Sequence, residues 1–212
     1  MNCSRALFFI ALLTGGAAAQ VITFPSSLSV GATSAGGVSF TYSGVLTQAA
    51  TLGFTASGLS CEQGAAYCTN ASGVIVIPGS SGVGATSSFG GTFFGTAQTW
   101  NFGALIMGIS GVGGVQVFPA NSANGLGSGS PPSALSLAGS SLASLGFPAF
   151  SVTNPTITFV VADTLYADNS GGFTLTQSAP SATPVPSTLL LAMAALVMLS
   201  LMLIARRRRR TD

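Results

Sequence analysis

The sequence predicts a mainly β protein: an antiparallel β-sandwich or barrel-like ectodomain followed by a single C-terminal transmembrane helix. Three observations carry this. Short runs such as Val38–Tyr42 and Phe173–Gln177 alternate apolar and polar residues, the period of a half-buried strand. Glycine and serine clusters, in a chain holding 28 glycines, interrupt those runs. An uncharged stretch from Thr188 to Ala205, rich in Leu, Met and Ala, lies between prolines and a block of arginines.

Residues 1–19 form a secretory signal peptide. Arg5 supplies the positive start, Ala6–Leu13 the short apolar centre, and Ala17-Ala18-Ala19 the small residues of a cleavage site between Ala19 and Gln20. The apolar centre is too short to span a bilayer. Cys3 precedes it, so it does not stand where a lipoprotein acylation cysteine would.

Residues 20–178 are the β-rich exported domain. Gly73–Ile77 is a continuous β-branched run closed by Pro78, and Thr156–Val161 repeats that signal. Weaker strand candidates are Val21–Phe24, Ala50–Phe54, Phe89–Phe94, Thr99–Phe102 and Val112–Phe118. Asn121–Pro132 (NSANGLGSGSPP) reads as a long surface loop or a boundary between two small sheets. Ala134–Leu145 carries a weak helical periodicity through Leu135, Leu142 and Leu145, which its Ser and Gly content opposes. Cys61 and Cys68 remain after signal cleavage. An even pair in an exported chain points to one disulfide closing a small loop, with free thiols as the alternative.

Residues 179–187 are a linker and a sorting motif, Pro184-Val185-Pro186-Ser187. The two prolines forbid helix and favour the extended backbone that a processing enzyme grips. Residues 188–205 follow as the transmembrane helix. At about 1.5 Å per residue they span roughly 27 Å, enough for a hydrocarbon core of about 30 Å. Residues 206–212 are a cytoplasmic tail whose cluster, Arg206, Arg207, Arg208, Arg209 and Arg210, sets the orientation, because Lys and Arg stay on the cytoplasmic side. An uncut stop-transfer anchor is the simpler reading of the same tail.

A short Pro-containing motif, one transmembrane helix and an Arg cluster together resemble the PEP-CTERM sorting signal of Gram-negative bacteria. The family's usual run is V-P-E-P-S-T. Here Thr183-Pro184-Val185-Pro186-Ser187-Thr188 keeps both prolines and the Ser-Thr, and Val185 stands in place of the Glu. The resemblance is confined to about the last thirty residues. It implies processing by an exosortase, a membrane-embedded cysteine transpeptidase-like enzyme, and the company of exopolysaccharide. The implied route runs through signal peptidase and the secretion machinery to the inner membrane with the body periplasmic. After processing it ends at the cell surface or outside the cell.

Composition narrows the function of the body. No Lys, Arg or His lies between Arg5 and Arg206, and the only charges between Gln20 and Ser187 are Glu62, Asp163 and Asp168, a formal −3. Nucleic-acid binding has no electrostatic footprint in such a domain. Without His or Lys, a Ser-His-Asp arrangement is impossible and most acid–base schemes lose their usual base. Glu62 with Asp163 or Asp168 is the one carboxylate pairing open to glycosidase chemistry, and no spacing asks for it. Asp163, Asp168 and Asn169 carry oxygen ligands of the kind calcium takes, with solvated loop residues as the plainer account. The expectation is therefore no catalytic residue, no cofactor and no metal. Gly82-Val83-Gly84 and Gly111-Val112-Gly113 lack the Lys of a phosphate loop and read as turns. Asn70-Ala71-Ser72 has the form of an N-glycosylation sequon.

The leading functional expectation is an exported, non-enzymatic surface or matrix protein associated with exopolysaccharide or biofilm. The alternative is a glycan-binding module on a plain anchor, using exposed Trp100, Tyr42, Tyr67 or Tyr166 as stacking faces.

Overall fold

A computed structural model of the chain describes residues 20–62, 67–77 and 82–178. Within them lie fourteen strands: β1 (Ser27–Gly31), β2 (Val38–Thr41), β3 (Val45–Thr47), β4 (Thr51–Glu62), β5 (Tyr67–Thr69), β6 (Ile75–Ile77), β7 (Ser88–Phe93), β8 (Thr96–Asn101), β9 (Leu105–Ile109), β10 (Gly113–Gln116), β11 (Ala134–Ser141), β12 (Ser151–Thr153), β13 (Thr156–Val161) and β14 (Asn169–Gln177). The described residues contain no α-helix, only 3-10 turns at Ser122–Asn124 and Tyr166–Asp168. No helix among them is long and apolar enough to cross a membrane. The signal peptide, Ala19, the motif Pro184–Ser187, the apolar span 188–205 and Arg206–Arg210 lie outside the described residues.

The strands form several antiparallel sheets, none of them closed. A six-stranded sheet runs β1-β14-β4-β5-β6, with β11 also paired to β4. A four-stranded sheet runs β10-β9-β13-β2, and β12 with β3 and β7 with β8 make two-stranded pairs. The twelve-residue β4 is the common member of the larger sheet. Its residues 54–62 pair with β14 along one edge, while β11 and β5 share the other edge end to end.

Alternation explains the packing. Leu52, Phe54 and Ala56 of β4, Leu135 and Leu137 of β11, and Phe173 and Leu175 of β14 all turn to one face. They share a core with Leu105, Met107 and Ile109 of β9 and Ile157, Phe159 and Val161 of β13. Phe54 and Phe159 meet edge-on across it with ring centroids 5.6 Å apart. Burial of side chains this size stabilises by about 1.5–3 kcal/mol each. The intervening residues Ile106 and Val160 are buried too, on the opposite face, against Trp100 of the β7–β8 hairpin. A strand covered on both faces needs a continuous apolar run, which is why the alternation of Thr156–Phe159 gives way to Val160 and Val161.

Two expectations are corrected here and a third, left between two readings, is decided. Ala134–Ser141 is a strand, and Leu135 and Leu137, two residues apart, point together into the core. The apparent helical spacing came from Leu142, which is buried beyond a register shift lying between Leu137 and Ser140. Val21–Phe24 is not a strand but a single bridge, Val21 to Thr51, although Ile22 and Phe24 are buried. Asn121–Pro132 is a loop that joins β10 to β11 within one compact unit, not a domain boundary.

Candidate functional site

At the far end of β4 the sheet turns polar. Asn169, Glu62 and Tyr67 are register partners on three adjacent strands, β14, β4 and β5, and Ser60 faces Thr69 one pair further along. Directly opposed residues of an antiparallel sheet project to the same side, and so do residues two apart on one strand. These five side chains therefore line one face. The residue between Ser60 and Glu62 is Cys61, which points the other way and forms a disulfide with Cys68, Cα–Cα 4.0 Å. The disulfide staples the back of the strand pair whose front carries the polar row.

The row opens into a small cleft that Phe102, Gly103 and Asp163 complete. Its interior space is about 10 Å³, room for one water-sized or ion-sized occupant. Gly103 has φ +70°, and a Cβ there would collide with Thr69 Oγ1, so glycine is what lets that turn close over the cleft. Asp163 follows the end of β13. Its Oδ1 accepts from the backbone N–H groups of Thr164 and, at 2.8 Å, Leu165, and its Oδ2 accepts from Asn169 Nδ2 at 2.6 Å. Burial pushes the Tyr67 hydroxyl well above the ordinary tyrosine range, and the Glu62 carboxylate beside it adds to the shift. The hydroxyl stays protonated. Tyr166 is also raised, by burial first, and its hydroxyl donates to Val161 O at 3.0 Å.

Asn169 is 4 % exposed. Its Nδ2 donates to Asp163 Oδ2 and, at 3.3 Å, to Ala32 O. Both partners are acceptors, which fixes the orientation of the amide: the opposite flip would set oxygen against oxygen. Its Oδ1 is buried and has no donor among the described residues.

The structure thus brings Glu62, Asp163 and Asn169 together. Asp168 is not among the residues that line the cleft. A space this small does not enclose a sugar ring. Among the described residues no three His, Cys, Asp or Glu side chains gather as a metal cluster.

Other residues singled out in the sequence lie elsewhere. Trp100 is fully buried with Nε1 donating to Gly91 O at 3.0 Å, and Tyr67 is buried in the cleft wall, so neither offers an exposed face to a glycan. The sequon asparagine, Asn70, is fully buried. Its Nδ2 donates to Asn124 O at 3.1 Å and Pro132 O at 2.9 Å, and its Oδ1 accepts from Ser72 N, Ser72 Oγ and Val74 N. Ser72 O in turn accepts from Asn101 Nδ2 and Gln116 Nε2. In the folded domain the Asn70 amide is a structural clamp on the Asn121–Pro132 loop and is closed to glycosylation.

Comparison with protein families, with curated proteins and with solved structures returns no match.

Proposed function

We propose that the chain is an exported, non-enzymatic protein of the cell surface or extracellular matrix, with a two-sheet β-sandwich as its body. A PEP-CTERM-like signal delivers it, and exopolysaccharide is its company outside the cell. The observation that carries this reading is the order of parts in the tail: Pro184-Val185-Pro186-Ser187, an uncharged stretch to Ala205, then Arg206–Arg210. Its chemistry fits an embedded processing enzyme, because the proline motif ends where the apolar span begins, at Thr188.

Two properties of the body support export. The Cys61–Cys68 disulfide is a bond that persists in oxidising compartments. The surface is held in water by Ser, Thr, Asn and Gln, with no basic side chain between Arg5 and Arg206. Burial of Trp100 and Tyr67 removes the best stacking platforms, which favours a matrix role over a glycan-binding module.

The test is fractionation of cells that carry a working exosortase, blotted for one epitope in the body and one after Arg210. The wild-type body should leave the inner membrane without the C-terminal epitope. A Pro184→Ala, Pro186→Ala variant should stay uncut in the inner membrane, since the helix can then extend outward through the motif. Wild-type protein that keeps both epitopes in the inner membrane would establish a plain anchor instead.

A further inference from the structure

We infer that the cleft at the end of β4 is a binding site for one hard divalent cation, calcium, held by Glu62, Asp163 and Asn169. Two of the body's three carboxylates converge there, and Asp163 is only 9 % exposed. Carboxylates withdrawn from water normally have a cationic partner, and the chain offers none between Arg5 and Arg206. A cation from solution is the counter-charge open to them.

The second observation is independent of charge. Asn169 lines the cleft, is more than nine-tenths buried, and has a carbonyl oxygen with no donor among the described residues. A buried acceptor without a partner costs about 1–3 kcal/mol, so it implies something that its lone pairs can meet. Its Nδ2 is committed to Asp163 Oδ2 and Ala32 O, and the flip is forbidden, so the oxygen cannot exchange roles with the nitrogen.

Every polar side chain lining the cleft carries oxygen: the carboxylates of Glu62 and Asp163, the amide of Asn169, and the hydroxyls of Ser60, Tyr67 and Thr69. All-oxygen sets with mixed carboxylate and amide donors suit calcium, which accepts irregular geometry and fills its remaining positions with water. No thiolate or imidazole is present to favour zinc. The space fits a single ion. The site does not depend on how the tail is processed.

The experiment uses the full chain in detergent, stripped of metal with a chelator, and titrates calcium chloride at constant ionic strength. With two carboxylates the affinity should fall at about 10⁻⁴–10⁻³ M, the range of extracellular calcium modules. At 10 mM calcium the unfolding midpoint should then rise by about 3–10 °C, with one calcium retained per chain. Magnesium, which needs tighter octahedral geometry, should give a smaller rise. Glu62→Gln and Asp163→Asn should each abolish most of the calcium shift, and Asp168→Asn should leave it intact. If Asp163→Asn does not fold, Glu62→Gln decides alone, since Glu62 ends its strand and makes no backbone-capping bond. The proposal is overturned if the wild-type midpoint does not move with calcium, which would make the occupant a water. It is equally overturned if the shift survives in Glu62→Gln, or disappears in Asp168→Asn.

Discussion

Two buried asparagines in this domain show how differently one side chain can be used. Asn70 is 0 % exposed and Asn169 is 4 % exposed, yet only the first is saturated. Both amide hydrogens of Asn70 are donated to carbonyls and its oxygen takes three donors. Asn169 spends its hydrogens on Asp163 and Ala32 and leaves its oxygen bare among the described residues. The saturated one has no valence left for a ligand, a sugar or a cofactor, and its role ends with the fold. The unsaturated one, set among carboxylates with no basic side chain in the body, is where chemistry from solution can enter. A sequence motif drew attention to the wrong asparagine: Asn70 carries the sequon, and Asn169 carries the opening.

Substitutions at the two sites should separate these roles. The largest effect is expected for Asn70→Ala, which orphans two carbonyls and at least two N–H groups in a dry site and frees the Asn121–Pro132 loop. The loss should be about 3–5 kcal/mol, read from the urea midpoint, and it should be the same with or without calcium. A loss under about 1 kcal/mol would mean that the loop is held by something other than Asn70. Next comes Gly103→Ala, which places a methyl group against Thr69 Oγ1 at a φ of +70°. It should cost about 2–3 kcal/mol and also erase the calcium response, because the methyl fills the cleft. Asn169→Ala should be the mildest, at about 1–2 kcal/mol without calcium, because Asp163 keeps its bonds from Thr164 and Leu165. In calcium the gap between Asn169→Ala and wild type should widen, while the gap for Asn70→Ala should not.

The legible parts of this fold were the ones encoded locally. Val38–Thr41 and the end of β14 have side chains whose period matches the pleat, Thr156–Val161 is rich in β-branched residues, and the structure makes strands of all three. The short spacing of Cys61 and Cys68 matched a cross-strand disulfide. Strand β11 was hidden because its register shift moves Leu142 out of the alternating phase set by Leu135 and Leu137. Only the start of β4 was visible, since Ser57, Gly58 and Ser60 give the remainder little apolar signal. The cleft was the least legible feature. Glu62 and Asn169 meet only because β14 pairs with β4 in one particular register, and registers between distant strands leave no mark on local sequence. Asp163 and Asn169 were singled out together for their oxygen-bearing side chains, with solvated loop residues as the plainer account. They share the cleft with Glu62, whereas sequence proximity had grouped them with Asp168.

The place of β14 in the larger sheet has a mechanical consequence. It is the last described strand, and the chain leaves it through Ser178 toward the tail. It lies between β1 and β4, with β4 matched along Asn169–Gln177 and β1 along Gly172–Thr176. A pull on Ser178 directed along the strand therefore loads both ladders in shear. Their hydrogen bonds must fail together and cannot be peeled open one at a time. Tension entering at this end would be met by the two pairings of β14 itself, nine residue pairs with β4 and five with β1.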